Sequence, residues 1–158
     1  MIALTVICAV GAAAASGALF TFSDFTMKGL RRLPPAQGIA AMQAINKAAP
    51  SPLFMLLLFG TGAACIAMMV LAGQRLDEPG STLRLVAGGL YVASVVVLTI
   101  AYHVPRNDRL DRVDPESAEG AEYWAVYQRQ WIPMNHVRSI APLVSAALLM
   151  LSLATRQG

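Results

Sequence analysis

Residues 2–22 read IALTVICAVGAAAASGALFTF and residues 53–73 read LFMLLLFGTGAACIAMMVLAG; neither stretch carries a charge. A helix rises about 1.5 Å per residue, so roughly 20 apolar residues cross the ~30 Å hydrocarbon core of a bilayer. Both stretches meet that length, and they make lipid the solvent for the rest of the reading. Two further stretches follow. Residues 85–102 are bounded by Arg84 and His103, and residues 139–155 by Arg138 and Arg156, whose long stems let a slightly short span reach the headgroups. The expected fold is all-α: a four-transmembrane-helix bundle occupying residues 1–158 as a single integral membrane domain. Short interfacial helices are expected in the connections between spans 1 and 2 and between spans 3 and 4.

Composition agrees with that solvent. The chain is 56% hydrophobic and 13% charged, about half the charge of a soluble domain, which excludes both a water-soluble globule and a solvated coil. The net charge of +3 comes from Lys and Arg placed between apolar blocks without a basic run, so nucleic acid is excluded as a partner. The expected partner is the bilayer itself. Cys8 and Cys65 have no metal-type spacing and suggest no disulfide framework, but they fall at similar depth on spans 1 and 2, where they can meet. The methionines read as packing residues.

The run AAAASGA has the small residues of a signal cleavage site, but no Lys or Arg precedes it and the apolar stretch continues to Phe22. It reads instead as a packing surface. Gly11 with Ala15, Ala13 with Gly17 and Ala14 with Ala18 are spaced to let helices approach closely, and such faces also permit a homo-oligomer. Four spans put residues 24–52 and 103–138 on one side of the membrane. Nine of the twelve Lys and Arg lie there, which makes that side cytoplasmic by the positive-inside rule.

The two long connections carry their own patterns. Pro34 and Pro35 introduce a helix on which Ile39, Met42 and Ile45 recur at helical spacing, with Gln43, Asn46 and Lys47 on other faces. In the second connection Asp114 is placed to cap a helix with Pro115 in its first turn, and Pro133 suits the first turn of the fourth span. Tyr123, Trp124, Tyr127 and Trp131 fall on neighbouring faces of that connecting helix. They are expected as an aromatic belt at the headgroups, with substrate stacking as the alternative.

One rim of the bundle collects most of the chemistry. The end of span 1, the end of span 3 and the start of span 4 all lie there, bringing His103, Asn107, Asn135, His136 and Arg138 to one level, with Asn46 on the adjoining loop. Histidine can take a proton near neutral pH, and amide and guanidinium donors can stabilise an enolate or phenolate oxygen.

The chain also resembles a family of small four-helix membrane proteins grouped with the anthrone oxygenases. The resemblance rests on FTFSDFTMKGLRRLPP at 20–35, MQAIN at 42–46, VPRNDRL at 104–110, Trp131, and NHVR at 135–138. It implies a cofactor-independent oxygenase that needs neither metal nor flavin and acts on a lipophilic phenolic or anthrone-like molecule. His136, Asn135, Asn107 and Arg138 would be the catalytic positions. Met42, Gln43, Asn46, Trp131 and His103 would bind the substrate. Two positions depart from the family pattern: His103 stands where asparagine is usual, which speaks against chemistry that depends on His103, and Met134 stands where an aromatic is common, which implies a reshaped pocket. The expected location is a bacterial cytoplasmic membrane. Two alternatives stay open, a non-catalytic membrane subunit or accessory protein, and a haem-binding protein using His103 and His136 as an axial pair.

Overall fold

The computed structural model describes residues 1–155; Arg156, the expected basic boundary of the last span, lies outside the described residues. Their regular structure is entirely helical. In chain order the elements are α1 (Ile2–Leu30), α2 (Pro35–Ala48), α3 (Pro52–Gly73), α4 (Ser81–Leu110) and α5 (Ala118–Ala154). All but α2 are long and apolar enough to cross a bilayer, so the chain has the architecture of an integral membrane protein.

Three helices run past the ends expected of them. α1 continues beyond Ser23 and Asp24, because Asp24 pairs with Lys28 one turn later at 2.8 Å on the exposed surface and the charge need not leave the helix. α4 likewise continues through the rim to Leu110. The largest difference is in α5. Ser117, rather than Asp114, caps it by accepting the Gly120 amide at 2.9 Å, and 37 residues follow without a break. Pro133 therefore lies inside a helix instead of starting one. Its missing N–H frees the carbonyl of Arg129, but both residues are exposed, so that cost is small. The expected helix of the second connection is simply the first part of α5.

Small residues on α1 bury Cys8, Ala9, Ala12 and Ala15 against the rest of the bundle. Ala13, Ala14 and Gly17 are exposed, so two of the three small-residue pairs face outward and only the Gly11–Ala15 stripe serves the interior. At Gly11 the approach is very close. A Cβ added there would overlap Thr61 Oγ1 and lie 2.8 Å from its Cγ2. We expect Gly11→Ala to cost about 1–3 kcal/mol by forcing α1 from α3, read as a lower melting temperature in detergent. Thr61→Ala in the same background should restore part of it; unchanged melting in the single variant would contradict this packing.

Hydrocarbon offers no hydrogen-bond partner, so polar side chains inside the bundle must find one in the protein. Ser16 donates to the Ser139 carbonyl at 2.6 Å, Ser145 to that of Ala87 at 2.8 Å, and Tyr91 to that of Leu58 at 3.0 Å. These bonds tie α1 to α5, α5 to α4 and α4 to α3. Cys8 and Cys65 are both buried in the same apolar core, as their matching depths suggest.

A second core sits at the rim where the long connections meet. Met27, Leu30, Ile39, Met42 and Leu110 pack there against Tyr123, Trp124, Tyr127 and Trp131. All four aromatics are buried, which overturns the headgroup belt: a belt exposes its rings to the interface, whereas these face inward. Trp124, Tyr127 and Trp131 stack in succession, with centroids 5.6 and 6.1 Å apart and interplanar angles of 14° and 27°. α2 lies flat on that stack because Gly38 has no side chain; a Cβ there would come within 3.1 Å of the Trp124 ring.

Candidate active site

A cavity of about 240 Å³ lies between the two cores, with walls from all five helices. Its inner part is apolar, lined by Leu19 and Phe22 of α1 and by Phe54, Met55, Leu58 and Phe59 of α3. Its other part carries Thr99, His103, Asn107 and Asp108 of α4, Asp111 just beyond the end of α4, and Arg138 of α5. Each of α1, α3 and α4 makes a wide π-turn beside it, at Phe22–Thr26, Leu56–Gly60 and Thr99–His103. Such turns re-aim side chains and recur at functional sites.

Arg138 is 7% exposed, and three of its N–H groups are held by two neutral side chains. Its Nε and Nη2 donate to Asn135 Oδ1 at 3.2 and 2.9 Å, and its Nη1 to Thr99 Oγ1 at 3.0 Å. Thr99 in turn donates to the Val95 carbonyl, and Asn135 Nδ2 donates to the Leu19 carbonyl at 2.8 Å. Asn135 thus fixes the guanidinium between α1 and α5 without lining the cavity. Among the described residues no carboxylate pairs with Arg138; the two ion pairs are Lys28–Asp24 and Arg75–Glu78. A guanidinium has five N–H groups, so one on each Nη is uncommitted.

His103 is 1% exposed, and neither ring nitrogen makes a hydrogen bond; the Met134 carbonyl lies near the ring but outside bonding geometry. The ring stands edge-on to Trp131, centroids 5.0 Å apart at 82°. A buried polar group without a partner costs free energy, so this imidazole calls for an explanation that packing does not supply. Beside it, Asn107 Oδ1 accepts from Tyr127 Oη at 2.9 Å and from Trp131 Nε1 at 3.0 Å. Farther along the cavity wall, Asn46 donates to Asp111 at 3.1 Å.

The structure therefore gathers His103, Asn107, Arg138, Trp131, Met42 and Asn46 around one space, with Asn135 directly behind. Gln43 is elsewhere. Its amide donates to the carbonyls of Leu110 and Val113, at 2.9 and 3.0 Å, and ties α2 to the end of α4. His136 is half-buried and does not line the cavity. Successive residues on a helix are about 100° apart, so the turn that aims Asn135 inward carries His136 away. His103 and His136 therefore do not face one common space, and Met134 does not line the cavity. Among the described residues no group of three or more His, Cys, Asp and Glu side chains is placed to hold a metal ion.

Thr99 and Asp111 are absent from the sequence reading, although a signal for them exists. Thr99, His103, Asn107 and Asp111 recur every fourth residue, the spacing that aligns side chains on one helix face. The α3 wall has no comparable signal, because its apolar residues look alike on the cavity and lipid sides.

The model of the family described as anthrone oxygenase matches residues 53–148, a stretch that holds α3, α4, most of α5 and the polar wall of the cavity. No curated protein and no solved structure matches the chain. The matched stretch exceeds half of the chain, and on that ground the chain belongs to the anthrone oxygenase family.

Proposed function

We propose that the cavity oxygenates a lipophilic phenolic or anthrone-like substrate with dioxygen, without a cofactor, using His103 as the base. The observation that carries this reading is a buried imidazole whose two nitrogens have no hydrogen-bond partner, beside a buried guanidinium that pairs with no carboxylate among the described residues. An acidic CH₂ or phenol supplies what that pair lacks: its proton passes to the first, and the enolate or phenolate left behind brings a negative charge to the second. The Phe, Met and Leu walls accept the ring system.

The chemistry balances without another reagent. His103 removes a proton from an acidic CH₂ flanked by aromatic rings, and Arg138 and Asn107 hold the oxygen on which the charge comes to rest. The carbanion forms a C–O bond to dioxygen, and His103 returns the proton to give a hydroperoxide. Loss of the second C–H proton then breaks the O–O bond, leaving a carbonyl in the ring and releasing water. The base role passes from His136 to His103 because only His103 borders the cavity; it is also a position where this chain departs from the family pattern. The excess of Lys and Arg on the α1–α3 and α4–α5 connections supports a cytoplasmic position for the site.

The test is dioxygen uptake by the detergent-purified protein with 1,8-dihydroxyanthrone, measured above the uncatalysed background. One dioxygen should disappear per quinone formed, without accumulation of hydrogen peroxide. Uptake no faster than background across a panel of anthrones and hydroquinones would remove the oxygenase reading.

A further inference from the structure

We infer that Tyr127 and Trp131 are positioning residues that fix Asn107 as a hydrogen-bond donor, so that the cavity selects ligands presenting an acceptor oxygen at that point. This rests on the cavity being the ligand site, as proposed above.

An amide has one accepting and one donating end, which differ little in shape, and its role depends on which end faces the ligand. Here the choice is settled by chemistry. An indole N–H can only donate. The Asn107 atom 3.0 Å from Trp131 Nε1 must therefore be the oxygen, and the same oxygen takes the Tyr127 hydroxyl at 2.9 Å. Turning the amide over would set its NH₂ against the indole N–H. Tyr127 is fully buried and Trp131 nearly so, which leaves neither donor much access to water. With its oxygen doubly claimed, Asn107 has only its NH₂ to offer a ligand.

The arrangement gives the aromatic core a purpose beyond packing. Tyr127 and Trp131 lie four residues apart on α5 and stack on each other, so their two donors reach one atom of α4. The uncommitted N–H groups of Arg138 add donors to the same cavity. A carbonyl or oxyanion suits the Asn107 and Arg138 part of the wall; an aryl amine, whose N–H groups would meet only donors there, does not.

Asn107→Asp tests the assignment. A carboxylate still accepts from Tyr127 and Trp131, so the aromatic core should stay intact, but its second oxygen replaces the donor facing the cavity. The probes are anthraquinone, which only accepts, and 9-aminoanthracene, which donates, each titrated against the protein in detergent by quenching of tryptophan fluorescence. We expect the wild type to favour anthraquinone by about tenfold, the scale of one hydrogen bond. Asn107→Asp should reverse that preference. Tyr127→Phe combined with Trp131→Phe should bring it near unity while both probes still bind, read through the remaining Trp124. If the wild type binds neither probe, the cavity is not the ligand site and the inference falls with it. If both probes bind but the preference is the same in all three proteins, the cavity reading stands and the positioning role is wrong. Unchanged helical circular dichroism in each variant separates these outcomes from misfolding.

Discussion

His103→Ala should lower turnover of 1,8-dihydroxyanthrone by about 10²–10⁴-fold, the range for losing a general base, while His136→Ala retains nearly all of it. The contrast matters more than either value. Both histidines stand at the same rim, but His103 lines the cavity and its two nitrogens are buried without a hydrogen-bond partner, whereas His136 lies on another face of α5. The two variants also differ in what they do to the fold. Removing the His103 ring relieves a buried polar group of its missing partners but leaves a void beside Trp131, and these effects oppose each other. Its melting temperature should therefore move little compared with its activity. His103→Asn, the residue usual in the family at this position, distinguishes base from hydrogen-bonding group: recovery of full activity would show that no imidazole is needed. Loss of turnover in His136→Ala with full activity in His103→Ala would return the base role to His136.

Arg138→Met should reduce turnover by about 10²–10³-fold, the loss typical when one stabilising donor is taken from a developing oxyanion. The variant also strands Asn135 Oδ1, which accepts both Nε and Nη2 in the native protein, and a buried acceptor without a partner costs about 1–3 kcal/mol. A second change separates the two effects. Arg138→Met with Asn135→Leu removes both partners, and stability should recover in part while turnover does not. Arg138→Lys keeps the charge but not the planar fork that reaches both Asn135 and Thr99, so an intermediate rate is expected. Should the double variant regain activity together with stability, Arg138 would be a structural residue and the anion site would have to lie elsewhere.

The rim cluster was legible residue by residue only in part. His103, Asn107, Asn135 and Arg138 stand next to apolar runs, so the ends of the spans place them at one depth without any knowledge of packing. Gln43 and Asn46 lie three residues apart on α2, yet one bonds to backbone at the end of α4 and the other enters the cavity. Nothing in their types or spacing separates those roles. The aromatic residues misled for a related reason: a Trp–Tyr cluster beside a span has the same composition whether it faces headgroups or a second core, and only α2 closing over it through Gly38 makes it interior.

By itself the sequence determined the solvent, the helical class and the end of the bundle where polar groups meet. Those follow from local hydropathy and chain connectivity, which are sums over neighbouring residues. The tertiary structure alone decided which histidine sees the cavity, that α5 runs unbroken through Pro133, and which end of the Asn107 amide is free. Such outcomes depend on how each helix is rotated about its axis, and that rotation is set by π-turns and by contacts with residues as far away in the chain as Leu19 is from Asn135.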